Sequence, residues 1–463
     1  LKRAGALLLS LALWACPAPP SGSAASSSDP KPRPAQAAQN VESAPVATSS
    51  AAVLYRVQVP QPSTHYLHVQ ARFQAKGRDA LTVMMPVWTP GSYLVREFAR
   101  HVDRISAEDE SGRELAINKV RKNRWRVTLD GASQAILRYR VYANEPSVRT
   151  NAVDDEFFIV NGAAAFLSDV EGLDSPHEVQ LDLPEGFSEV AADLPVCGPQ
   201  RRCARDYDHL VDAPIIAGAL RRLPFEVKAV PHELVQLGGA QWPDARSQTD
   251  VARLAETIAD FWGQVPYSRY LFLNVINEAR GGLEHAGSTL MMTGRRQPQT
   301  EAGYRRWLGL VSHEFFHTWN GKRLRPQALG PFDYEREVYT QDLWFVEGLT
   351  SYYDDLLMCR AGLLTEAQYL EALSGQIKKQ QLRTGRSEQP LAAASYDAWI
   401  EYYRPDESSE NTTISYYTKG AVVGFVLDMA IRRATSAKRS LDDVMRLAYA
   451  RHSGATGYSS EQL

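Results

Sequence analysis

The spacing of apolar residues changes once along this chain, near Trp242, and that change limits the fold more than any other feature. From residue 54 to about 237 the period is two. Leu67, Val69, Ala71 and Phe73 alternate with His68, Gln70 and Arg72, and Leu137, Tyr139 and Val141 alternate with Arg138 and Arg140. Trp125, Val127 and Leu129 repeat the pattern, as do Val179, Leu181 and Leu183. Such alternation turns one face of an extended strand into a core and leaves the other in water. Many short strands divided by Gly, Pro and Asp clusters predict an antiparallel β-sandwich-like domain. Beyond Trp242 the period becomes 3.6. Val251, Leu254, Ala255, Ile258 and Trp262 form a helical stripe closed by Gly263. A strand over 270–276 follows, and later helices are expected over 345–360, from Thr365 with Gln368 as capping partner, over 419–432, and from Ser440. The chain therefore reads as an α+β multidomain protein, with a β-rich part over 53–238 and a mostly helical part with a small sheet over 239–463.

The first residues read as a targeting segment. Lys2 and Arg3 precede an apolar run over 4–14 that is too short to span a bilayer. The run ends Leu13-Trp14-Ala15-Cys16, which resembles the lipobox of bacterial lipoprotein signal peptides. By that resemblance 1–16 is a signal segment, Cys16 carries a lipid anchor, and the protein faces the periplasm in a bacterial cell envelope. Residues 17–52 are rich in Pro, Ala and Ser, with too little apolar surface to fold, and read as a disordered tether. Cys197 and Cys203 bracket a loop that would let them pair in an oxidising compartment. A net charge of −3 leaves no basic footprint for nucleic acid.

Chemistry concentrates in His313-Glu314-Phe315-Phe316-His317. Two histidines four apart share one helix face, where both imidazoles can hold one Zn²⁺ ion, with Glu314 beside them as a base. Tyr304, Trp307, Leu308, Val311, Phe315 and Trp319 recur at helical spacing on the core side, and Gly321 reads as the stop. Such a site needs a third protein ligand. Glu335 and Glu337 sit in a polar run, whereas Glu347 heads an apolar helix. A carboxylate buried there is costly without a cation, which selects Glu347.

Three more places are candidates. Glu284 follows a strand and the Gly281-Gly282 bend, where backbone can pass close to a bound peptide and a carboxylate could hold its α-ammonium. An ordinary surface Glu after a turn is the simpler alternative. Tyr417, ahead of an apolar helix, is either a packing residue or a phenol that donates to an oxyanion. The segment Trp88-Thr89-Pro90-Gly91-Ser92-Tyr93 is expected to pack onto its own sandwich. The alternative is a loop that reaches over to shape an active site.

The run His313 to Asn320 with Lys322-Arg323-Leu324-Arg325-Pro326 resembles the glycyl aminopeptidase family of zinc metallopeptidases. So do Gly281-Gly282-Leu283-Glu284-His285, Phe345-Val346-Glu347-Gly348, Tyr417-Thr418-Lys419-Gly420 and the Trp88 segment. The resemblance implies a thermolysin-like catalytic domain behind a β-rich one, usually followed by a PDZ domain. The chain ends at Leu463 before any PDZ domain, so the catalytic domain is expected to be truncated. It also implies one Zn²⁺ on His313, His317 and Glu347, Glu314 as general base and Tyr417 as the transition-state phenol. Peptide substrates would present a free N-terminus, with Gly or Ala preferred, to Glu284, Gly282 and His285; His285 stands where related aminopeptidases have Asn. An endopeptidase on the same scaffold, or a membrane-tethered binding protein with a vestigial metal site, are the rival readings.

Overall fold

The computed structural model describes residues 52–239 and 242–463. The signal segment 1–16, the Cys16 anchor and all of the tether but Ala52 lie outside the described residues. Strand β1 (Val53–Gln58) pairs antiparallel with β2 (Tyr66–Gln74), which pairs antiparallel with β3 (Gln134–Tyr142). In β2 the inward residues are Leu67, Val69, Ala71 and Phe73, as alternation requires. A seven-stranded sheet built on these and two four-stranded sheets share one apolar core. The pairing departs from the purely antiparallel expectation once, where β1 runs parallel to β4 (His177–Asp182). Cys197 and Cys203 form a disulfide at one edge of this region.

The division of the chain also differs from the expected one. β5 (Arg221–Val227) and β6 (Val230–Leu237) do not join the first region. They form a five-stranded sheet with β7 (Tyr270–Asn277), β8 (Gly281–Glu284) and β9 (Ser288–Gly294), in the order β5-β6-β7-β9-β8. The boundary lies just before Arg221 rather than at 238. Period two marks a half-buried strand but not which sheet receives it. Among the described residues β8 pairs only with β9, so it forms an edge of the sheet.

Helix α1 (Asp244–Trp262) buries the predicted stripe and ends at Gly263 in the left-handed region, φ 72°. α2 (Glu301–Phe316) starts where the Thr300 hydroxyl accepts from Gly303 N–H at 3.0 Å. Trp307 stacks on Trp242 at 4.5 Å, and its indole N–H donates to Asn274 Oδ1 at 3.2 Å, which ties α2 to β7. Fully burying an aromatic of this size contributes about 2–3 kcal/mol, so this face fixes the helix and leaves the opposite one for chemistry. α2 ends at Phe316, ahead of the predicted stop at Gly321.

A π-helical turn, Trp344–Gly348, leads into α3 (Leu349–Arg360); α4 (Glu366–Leu382), α5 (Tyr416–Ala434) and α6 (Leu441–His452) follow. The Thr365/Gln368 capping box forms as predicted. At Gly348 a Cβ would stand 2.5 Å from the Cα of Gly420, so α5 rests directly on the π turn. That contact brings Tyr417 and Glu347 to the same place.

The Trp88 segment overturns the simpler expectation. Trp88 N–H donates to the Asp333 carbonyl at 2.7 Å, and its ring lies 5.2 Å from Trp399 and 6.0 Å from Phe332. Trp88 and Tyr93 form a cluster with Leu343, Trp399 and Tyr416. The aromatics flanking the Pro90-Gly91 turn are buried by the second region, not by their own sandwich.

Candidate active site

A cleft of about 770 Å³ runs along the polar face of α2. The Nε2 atoms of His313 and His317 are 3.1 Å apart, and Glu347 Oε2 lies 3.4 Å from the first and 3.0 Å from the second. Four-coordinate zinc with bonds of about 2.0–2.1 Å would set its ligands about 3.3 Å apart, which these donors match. The other nitrogens are held too. His313 Nδ1 is 3.2 Å from Asp354 Oδ2, and His317 Nδ1–H donates to the Asn320 carbonyl at 2.8 Å. Those bonds put the proton on Nδ1 and leave each Nε2 lone pair facing the gap. The Asn320 amide in turn donates to the Phe345 and Val346 carbonyls, both at 3.0 Å, locking the π turn that carries Glu347.

Electrostatics agree. Burial opposes a charged His313, yet Asp354, Glu347 and Glu314 push its pKa well above the ordinary value. Burial also opposes ionised Glu347, yet His317 and His313 hold it down at about 2. This is a negative cage around a small gap, which suits a divalent cation. Among the described residues, these three are the group of potential ligands that converges in this way.

Glu314 faces the same gap. Burial pushes its carboxyl up to about 7, with Glu284 and Glu347 adding to the rise and the imidazoles opposing it. Its Oε2 is buried with no hydrogen-bond partner. A Cβ on Gly282 would fall 2.1 Å from Glu314 Oε1, so only glycine lets β8 lie against this carboxylate. Two residues on, Glu284 lines the cleft, is 8% exposed, and forms no side-chain hydrogen bond or ion pair among the described residues. Gly91, at φ +85°, reaches it from the first region; a Cβ there would meet Glu284 Oε1 at 2.7 Å. Tyr417 lines the cleft and stacks on the His313 ring with centroids 6.1 Å apart.

His285 is placed differently from expectation. It is 3% exposed, its Nδ1 lies 3.2 Å from Asp212 Oδ1, and it does not line the cleft. Successive side chains alternate along a strand, so a Glu284 turned to the cleft turns His285 away. Asp212 also takes a salt bridge from Lys322 at 2.7 Å, pinning the segment after α2 to the first region. Sequence reading gave no role to Asp354, Asn320 or Arg149, and reached Gly91 only through the alternative reading of the Trp88 loop. Asp354 carried a signal, being seven residues after Glu347 on the same helical run.

A two-histidine, one-carboxylate cage, a buried carboxylate beside it and an open edge strand define a metallopeptidase. The M61 glycyl aminopeptidase family model matches residues 306–423, and that for the peptidase M61 N-terminal domain matches residues 54–219. An aminopeptidase N family protein from Idiomarina loihiensis is 30% identical over 88% of this chain and 72% of that one, with a TM-score of 0.85. The chain belongs to the M61 glycyl aminopeptidase family. An M1 zinc metallopeptidase from Deinococcus radiodurans shares the fold at 15% identity, covering 89% of this chain and 88% of that one, with a TM-score of 0.51. A mutant of that enzyme was solved bound to a Tyr-Ser-Ala substrate, at 15% identity, 88% coverage of both chains and a TM-score of 0.52. No curated protein matches the chain.

Proposed function

We propose that this protein is a zinc-dependent aminopeptidase that removes small N-terminal residues, Gly or Ala, from peptides. The observation that carries this reading is the Glu284 carboxylate, which faces the cleft without a hydrogen bond or ion pair among the described residues, at the end of a strand edge two residues beyond the one touching Glu314. A carboxylate that faces the cleft without a counter-ion is a ready partner for a substrate ammonium. A small N-terminal residue fits the space beyond it. The cavity bounded by Gly91, Tyr93, Glu284 and Val346 holds only about 20 Å³.

An extended peptide adds to β8 as a further strand, its amine at Glu284 and its first carbonyl opposite Gly282. Zinc held by His313, His317 and Glu347 would supply Lewis acidity and lower the pKa of water beside it. Glu314 Oε2 takes a proton from the attacking water and returns it to the leaving amine. The Tyr417 hydroxyl donates to the oxygen that gains charge. The disulfide of Cys197 and Cys203 supports an oxidising compartment, in line with the proposed cell-envelope location.

Alanine or glycine anilide hydrolysis, measured with metal content and with or without chelator, tests the core of the reading. Chelation should abolish the activity and added zinc restore it. An enzyme that cleaved N-acetylated and free-amine peptides equally well, before and after Glu284→Ala, would not be an aminopeptidase.

A further inference from the structure

Arg149 belongs to the first region, yet it lines the cleft. Its Nε is buried with no acceptor, and no carboxylate among the described residues pairs with its guanidinium. Burial first and Arg149 second bring Arg96 down to about 10. Tyr402 and Tyr403 are its other ionisable neighbours. A guanidinium kept in a cleft without an ion pair of its own among the described residues is an arrangement that folding alone does not favour.

Its position along β8 gives it a use. A Cβ on Gly281 would stand 3.8 Å from Arg149 Nη1, one on Gly282 would touch Glu314, and Glu284 closes the other end. A strand rises about 3.3 Å per residue, so Gly281 and Glu284 are about 10 Å apart. An extended dipeptide spans at most about 7 Å and a tripeptide about 10 Å. A peptide held by its amine at Glu284, and cut opposite Gly282, runs next toward Gly281.

We propose that Arg149 receives the free α-carboxylate of short peptides, so that the protein is matched to tripeptides with both termini free. The planar fork of the guanidinium suits a carboxylate, which it binds through two parallel N–H donors. Glu284 and Arg149 would then measure substrate length by charge at both ends. This inference rests on the aminopeptidase reading and deepens it.

The test compares tri-alanine with its C-terminal amide, in the wild type and in R149Q and R149K. The wild type should favour the acid by about 10- to 100-fold in kcat/KM, expressed in KM, the range of a hydrogen bond to a charged group. That ratio should fall to about one in R149Q and be partly kept in R149K. Calorimetric titration of zinc-loaded E314Q with the same two peptides should give the same preference in Kd, and stands even where R149Q does not fold. Equal use of acid and amide by the wild type, or an unchanged ratio in R149Q, overturns the role of Arg149 while leaving the aminopeptidase reading intact. Cleavage of N-acetylated peptides in preference to both would instead remove that reading, and this inference with it.

Discussion

The two regions bury ionisable groups to similar depth and treat them in opposite ways. In the β-rich region His177 lies between Tyr55 and Tyr207, its ring stacked on the first at 5.9 Å, and burial pushes its pKa down to about 4. It is kept neutral and does no chemistry. The ring nitrogens of His177 have no partner but lie enclosed among aromatic rings, whereas Glu314 Oε2 and Arg149 Nε, equally without a partner, belong to side chains that line an open cleft. Burial that silences a group marks a core, and burial that leaves it waiting marks a site.

Four experiments break or sharpen this contrast. The largest effect is expected for Glu314→Gln, which should lower kcat by about 10²–10⁴-fold while metal content is retained. Its melting temperature should hold or rise, because an uncompensated buried carboxyl is removed; a marked fall would place Glu314 with the structural groups. Next comes Trp88→Ala, which should cost about 3–5 kcal/mol by denaturant unfolding, because the ring is fully buried between the regions. It should also relax discrimination against blocked N-termini, and loss of stability alone would sever the loop from function.

Third, the His177 pKa sets a pH slope. Its folded value of about 4 lies below the ordinary 6.5, so its contribution to stability is complete above pH 6.5 and lost as pH falls toward 4. The whole effect is about 3 kcal/mol, at about 1.4 kcal/mol per unit. His177→Gln should flatten the unfolding free energy across that window, and an unchanged slope would assign it elsewhere. The smallest effect is expected for Asp354→Asn, which should weaken metal affinity by about 10- to 100-fold in competition with a chelator, with the fold unchanged by circular dichroism.

Residues whose signal is local were legible in the sequence. The helix over His313 and His317 and the burial cost that singled out Glu347 follow from spacing and composition within one turn or two, whereas the choice of Tyr417 came from the family resemblance. What escaped depends on distant pairings. Nothing near Arg149 announces that its guanidinium will meet Gly281, and nothing near Gly91 points to Glu284. β5 and β6 carry the same alternation as the strands before them, so the boundary was drawn too late. His285 was misjudged for a different reason. It was read from its neighbour in the motif, although strand geometry alone sends it to the other face.

Gly91 gives the molecule a particular way of failing. On the proposed reading, the first half of the chain stands guard over the amine end of a reaction run by the second, so trimming and random cutting differ by one turn of backbone. Loosening the Gly91 turn alone would then cost selectivity before it cost hydrolysis. Damage would then show itself as indiscriminate digestion of neighbouring proteins before it showed as silence.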